Sequence, residues 1–232
     1  MHGRVWGWVS GAIVVGWFIA SLQLGRAEFF RTGSGIGPLG PIQVAIFGPI
    51  GVFVLSYLAI PSFRSFVDGL DVVGLAAVQV LRILGAAHLV SWGYGLMAGT
   101  FALSVGIGNS IVALVALSTV KRVATRAPHW RAWLLGLTLL GMVEFGMTIA
   151  LAMLGRFATP TPFDPPRHAL GYIDFRVPPL SIFPTFLIPL FSVIHCATLA
   201  RLRRRDAVDE GAVAEAGSPP PISVLMPRGS RS

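Results

Sequence analysis

The chain has 232 residues, 54% of them hydrophobic and only 12% charged, with a mean hydropathy of +0.73. Soluble domains carry about 25% charged residues, so an ordinary soluble enzyme, a disordered chain and a disulfide scaffold are all excluded. The formal charge of +8 comes from basic residues spread over short hydrophilic gaps. That spread fits anionic lipid headgroups and not nucleic acid, which needs a clustered basic face. The single cysteine, Cys196, allows no internal disulfide and no Cys-based metal motif.

A helix needs about 20 apolar residues to cross the ~30 Å hydrocarbon core. Six stretches qualify: Val5–Leu24, Pro41–Ile60, Val72–Met97, Thr100–Val120, Ala132–Leu154 and Pro178–Ala200. Period-2 alternation is absent, so a barrel is not expected. The expected fold is all-α: a polytopic integral membrane protein of six transmembrane helices, with residues 1–205 in the bundle.

The first span follows Arg4 and begins among Trp6 and Trp8, aromatic anchors of the kind found at membrane interfaces. It is long and lacks a small-x-small cleavage site, so a retained anchor is expected, not a signal peptide. Gly35-x-Gly37-x-x-Gly40 in the loop beyond fits the dinucleotide fingerprint as a string. No strand precedes it and Pro38 interrupts it, so it reads as a turn. The second span carries no charge.

The third span carries Arg82, ~15 Å in by helical rise, with Gln79 at i−3. His88 lies deeper, near Trp92 at i+4. Gly95-x-x-x-Gly99 is a small-xxx-small pair and a candidate contact between two copies in a homodimer. The fourth span lines up Ala102, Gly106, Asn109, Ala113 and Ala116, a small-residue face bearing one amide.

The fifth span opens near Trp130 and Trp133 and carries Glu144 ~18 Å in, with Gly141 and Thr148 on the same face. Similar depth and opposite charge predict an Arg82–Glu144 pair. Such a pair either fixes helix register or forms a site for a charged substrate or proton. The following loop, Gly155–Val177, contains Pro160, Pro162, Pro165 and Pro166, so it is expected to cap the bundle without a continuous helix.

In the sixth span, Pro184 and Pro189 break the helix and free the carbonyls of Leu180 and Thr185. Ser181, Thr185, Ser192 and His195 form a polar stripe. Two readings stand: a kinked packing helix whose hydroxyls serve those carbonyls, or a wet cleft. Beyond Arg201–Arg205 the composition turns acidic and then rich in Gly, Pro and Ser, so 206–232 is expected to be a disordered cytoplasmic tail. Within it, Leu225–Ser230 resembles a protease recognition sequence with one residue changed, and no function is read from it.

Loop charge sets the orientation. Arg4, Arg64, Lys121, Arg122, Arg126, Arg131, Arg201, Arg203, Arg204 and Arg205 fall on one side, ten basic residues. Arg26, Arg31, Arg156, Arg167 and Arg176 fall on the other, five. The bias places both termini in the cytoplasm.

Paired intramembrane histidines suggest a b-type haem. His195 is expected only ~7 Å from the cytoplasmic end, against ~24 Å for His88, which makes one shared haem difficult. No metal ligand set is identified, and no HExxH, GxSxG, Walker or kinase signature occurs.

Three stretches resemble landmarks of a group of uncharacterised bacterial multi-pass inner-membrane proteins. They are Leu81-Arg82-x-x-Gly85, Phe101-Ala102-Leu103-x-x-Gly106-x-Gly108-Asn109, and Pro184-Thr185-Phe186-x-x-Pro189 running on to His195. The chain departs from that pattern at Ser104, where proline is expected, and at Asn109, where aspartate is expected. The resemblance implies a bacterial inner-membrane setting.

The expected function is non-enzymatic: transport of a small solute or ion, or an accessory role, centred on Arg82 and Glu144. Asn109, His88, His195, Gln79, Thr148, Ser192 and the break at Pro184 and Pro189 complete the candidate site. A redox protein holding haem or quinone is the first alternative. An interaction protein using the Arg201–Arg205 patch is the second.

Overall fold

The computed structural model describes residues 2–32, 40–154, 161–162, 164–166 and 173–216. All regular structure among them is helical. Helix α1 (His2–Arg26) leads through the short α2 (Phe29–Thr32) to α3 (Pro41–Ala59) and α4 (Pro61–Asp68). Helix α5 (Val72–Val78) continues through a 3-10 segment (Gln79–Ala86) into α6 (Ala87–Gly93). Helices α7 (Gly99–Ala124) and α8 (Trp130–Met153) follow, and a π-helical turn (Phe183–Leu187) opens α9 (Ile188–Ala216).

Among the described residues, six helical stretches are long and apolar enough to cross a membrane: Val5–Arg26, Pro41–Ala59, Val72–Gly93, Gly99–Ala124, Trp130–Met153 and Phe183–Arg203. They are spans 1 to 6 below, and they match the six expected from composition. The ends follow local chemistry. Pro41 and Pro61 sit in the first turns of α3 and α4, where the missing N–H costs nothing. Asp71 caps α5 by accepting from the N–H groups of Val73 (3.2 Å) and Gly74 (2.8 Å).

Spans 3 to 6 form the packed bundle, with span 4 central between spans 3 and 5. Between 33% and 44% of each is buried, against 6% for spans 1 and 2, which flank span 6 and leave most of their surface for lipid. The small-residue face of span 4 is buried along its length, as its pattern predicted. One core cluster gathers Val72, Ala76, Val112, Ala116, Val123, Leu134, Leu137 and Leu202. A second, near the other end, holds Met97, Phe101, Ala102 and Val105.

The cluster containing Val72, Val123, Leu134 and Leu202 marks the face where span 1 begins and span 6 ends, called here the terminal face. Arg122 stacks over Trp133 at 4.3 Å and Arg126 over Trp130 at 4.4 Å, while Trp6 meets Phe63 edge-on at 5.3 Å. Aromatic rings and cations therefore meet at the span ends, where amphipathic groups are most stable.

Two expectations change. Helix α9 runs to Ala216, so the start of the segment expected to be irregular is helical. Its Ala- and Glu-rich sequence after Arg205 favours continuing the turn. Residues 217–232, like the Gly35 and Gly37 positions of the first loop, lie outside the described residues. Second, Gly95 and Gly99 are buried within the chain and do not form an exposed contact. Gly95 adopts φ 65° in the turn before α7, a left-handed conformation that favours glycine.

Candidate functional site

Spans 3 to 6 each send a polar side chain to one point inside the bundle: Arg82, Asn109, Glu144 and His195. Arg82 is the pivot, and its side chain is fully buried. Its Nη2 donates to Glu144 Oε2 in an ion pair, and its Nε donates to Asn109 Oδ1 at 2.9 Å. Its Nη1 donates to the Gly141 carbonyl at 3.2 Å and lies 3.4 Å from His195 Nε2. The Phe145 ring covers the guanidinium face, with Cζ 3.8 Å from the centroid.

Glu144 is equally held. Its Oε1 accepts from Asn109 Nδ2 at 2.7 Å and from Thr148 Oγ1 at 2.9 Å. Asn109 Nδ2 also donates to the Val105 carbonyl at 2.9 Å. One positive and one negative charge, each bonded to neutral partners, satisfy the condition under which a buried ion pair is tolerated.

The His195 ring completes the set. Arginine only donates, so Nε2 accepts from Arg82 and Nδ1 carries the proton. Gln79 Nε2 stands 3.5 Å from that Nδ1, while Gln79 Oε1 is buried without a partner. Turning the amide by half a revolution pairs Nδ1–H with Oε1 and satisfies both groups.

Backbone geometry makes this convergence possible. Gln79, Arg82, Gly85 and His88 are all buried and recur every third residue. In an α-helix, Gln79 and His88 would point roughly 180° apart, at about 100° per residue. The 3-10 segment eclipses i and i+3, so these residues share one edge facing spans 4 to 6. Eight residues is long for such a segment, whose hydrogen bonds are poorer, and the polar cluster offsets that cost.

Glycines set the approach distances. A Cβ on Gly141 would lie 2.5 Å from His195 Cε1 and Nε2 and 2.6 Å from Arg82 Nη1. A Cβ on Gly85 would lie 2.5 Å from Asn109 Cβ, and one on Gly108 would lie 2.8 Å from Glu144 Cγ.

A cavity of about 690 Å³ runs from this cluster to the face opposite the terminal face. Arg82, Asn109, Phe145 and Thr148 line its inner end, while Gln43, Arg31, Asp174 and Arg176 line its mouth. At the mouth Arg176 grips Asp174 with Nε and Nη2 at 2.8 and 2.9 Å, and Arg31 lies 4.0 Å away. Hydrogen bonding from the Arg176 side chain holds the Asp174 carboxyl below its usual range. Nearby, Asp164 accepts from the N–H groups of Gly99 (2.8 Å) and Thr161 (2.6 Å) and from Trp92 Nε1 (3.2 Å). Partial burial pushes the Asp164 carboxyl up, but these donors outweigh it and leave it below its usual range. The described parts of the 155–177 loop thus reach the top of the bundle.

The predicted residues sort clearly. Arg82, Glu144, Asn109, His195, Gln79 and Thr148 meet in one network. Composition ended span 6 at Ala200, which put His195 near the surface. His195 Nε2 nonetheless lies 3.4 Å from Arg82 Nη1, inside the bundle. His88 stands apart: Nδ1 donates to the Gly85 carbonyl at 2.8 Å, and its ring meets Phe101, Phe175 and Phe183. Trp92, its expected neighbour, bonds Asp164 instead. His88 lines the cavity and His195 does not, so the two imidazoles do not face one space.

Ser192 donates to the Ile188 carbonyl of its own helix at 2.9 Å and is outside the network. The carbonyl freed by Pro189 is served from span 1: Trp17 Nε1 and Ser21 Oγ donate to Thr185 O at 3.0 and 3.2 Å. Those two donors, the Phe145 stack and the Gly141 carbonyl have no signature in sequence beyond polar or aromatic residues in apolar runs.

These elements define a multi-pass helical membrane protein with a hydrogen-bonded polar cluster at the inner end of a cavity. The chain belongs to the family described as "Domain of unknown function (DUF8737)", which matches residues 39–203. The match takes in spans 2 to 6 and every residue of the cluster, in agreement with the resemblance read from the sequence. No curated protein and no solved structure matches the chain.

Proposed function

We propose that this is a non-enzymatic protein of the bacterial inner membrane that binds a small solute in its cavity. It moves that solute across the bilayer or serves other membrane machinery in an accessory role. Arg82 and Glu144 form the polar floor of the site. The observation that carries this reading is the continuity of the cavity, which joins the self-paired charges of Arg31, Asp174 and Arg176 at one face to buried Arg82 and Asn109. A pair serving register alone needs no such space beside it. The excess of basic residues on the terminal face supports cytoplasmic termini, with the cavity opening outward. Arg201–Arg205 then meets anionic headgroups.

The test is accessibility. Val105 is buried in the cavity wall. In a Cys196→Ser background, Val105→Cys should react with a small membrane-impermeant thiosulfonate added outside intact cells. Reaction from the cytoplasmic side as well, in inverted vesicles, would mark a transport cycle; reaction from outside alone would favour the accessory role. No reaction from either side overturns the proposal.

A further inference from the structure

We propose that the cavity holds a hydroquinone-type ring on an apolar chain, taken from the bilayer through an opening beside spans 2 and 3. This deepens the reading above and rests on it, since it names the ligand of the same cavity.

The first observation is the rim. Several cavity-lining residues are also among the large side chains exposed on the surface: Phe47 at 45%, and Leu81 and Leu84 each at 55%. Span 2 packs on span 6 and leaves its edge toward span 3 open. A gap edged by Phe and Leu in a membrane-spanning region admits an apolar chain and repels a hydrated solute.

The second is the wall. Phe101, Phe175 and Phe183 surround the His88 ring with centroids 4.9 to 6.0 Å away, and Phe145 and Phe191 stand near Arg82. All five line the cavity. Such walls favour a flat ring over a flexible chain alone.

The third is polarity. The Gly85 carbonyl only accepts, so His88 Nδ1 carries the proton, and in the neutral ring Nε2 is left to accept.

The fourth is charge. Arg82 and Glu144 cancel, so the floor selects a neutral head over a fixed anion. A hydroquinone hydroxyl donates to His88 Nε2. A quinone, whose oxygens only accept, leaves His88 unpaired.

The experiment compares three probes with the same decyl chain: a decyl-substituted ubiquinol, its quinone and decylbenzene. Calorimetric titration is done anaerobically on the full chain in nanodiscs. The ubiquinol should bind about tenfold more tightly than the quinone, with decylbenzene weakest. His88→Phe should keep the ring wall and abolish the ubiquinol preference. Leu84→Trp, at the lipid-facing rim and outside the polar cluster, should slow association several-fold without unfolding the protein.

Equal binding of decylbenzene and ubiquinol overturns the hydroquinone inference and leaves the cavity reading standing. So does absence of binding by all three when Val105→Cys still reacts. Absence of binding together with an unreactive Val105→Cys overturns both.

Discussion

Gly141→Ala tests the polar cluster through its tightest approach. The added methyl would sit 2.5 Å from the His195 ring and 2.6 Å from Arg82 Nη1. Both atoms belong to side-chain tips, which elsewhere would swing aside cheaply. Here Arg82 is held by the Phe145 face, Asn109 and Glu144, and His195 is 1% exposed. Overpacking of this kind costs about 1–3 kcal/mol. Losing the bond to the Gly141 carbonyl adds roughly 1–3 kcal/mol, because a buried donor is left unpaired. Better helix propensity returns only about 0.5–1 kcal/mol.

Gly136 and Gly146 provide the control. They lie on the same helix, and a Cβ at either meets nothing within 4 Å. Gly136→Ala and Gly146→Ala should therefore gain the propensity term alone. At about 2–4 °C per kcal/mol for a chain of this size, Gly141→Ala should lower Tm by about 2–20 °C, while the controls raise it by about 1–4 °C. A thiol-reactive maleimide dye suits the assay, since half-buried Cys196 is the sole thiol and unfolding exposes it. If Gly141→Ala melts with Gly146→Ala, the His195–Arg82 approach described here is wrong.

Removing either charge alone, by Arg82→Leu or Glu144→Leu, should destabilise by about 3–5 kcal/mol, and the double variant by much less than the sum; thermal melts of the four proteins check this. Asn109→Asp replaces an amide that donates to Glu144 and Val105 with a second carboxylate, and should lower Tm, whereas adding Glu144→Gln restores one carboxylate beside Arg82 and should recover most of the loss. Trp17→Phe removes a donor to the Thr185 carbonyl at a cost of about 1 kcal/mol, and the cost should shrink in a Pro189→Ala background, where the helix supplies its own N–H. Asp164 has a lowered folded pKa, so its stabilisation of the α7 start is present above the unfolded value near 4 and is lost as pH falls through the folded one. Trp92 emission should then shift red under strong acid, and Asp164→Ala should show that shifted emission already at pH 7.

The sequence by itself determined the membrane class, the six spans and the depth match of Arg82 and Glu144. Each follows from local rules: apolar length against bilayer thickness, and rise per residue along a helix. The buried face of span 4 was legible too, because Ala102, Gly106, Asn109, Ala113 and Ala116 recur at helical spacing. Only the tertiary structure decided the rest. The 3-10 turn at Gln79–Ala86 aligned residues that α-helical spacing scatters, and nothing in that apolar stretch announces the change of pitch. His195 met Arg82 from a helix 113 residues away in the chain, and Thr185 found its donors on span 1, 164 and 168 residues away. Pairings of that kind depend on how helices far apart in sequence settle against one another. Hydrophobic patterning says which face turns inward, but not which polar atom waits there.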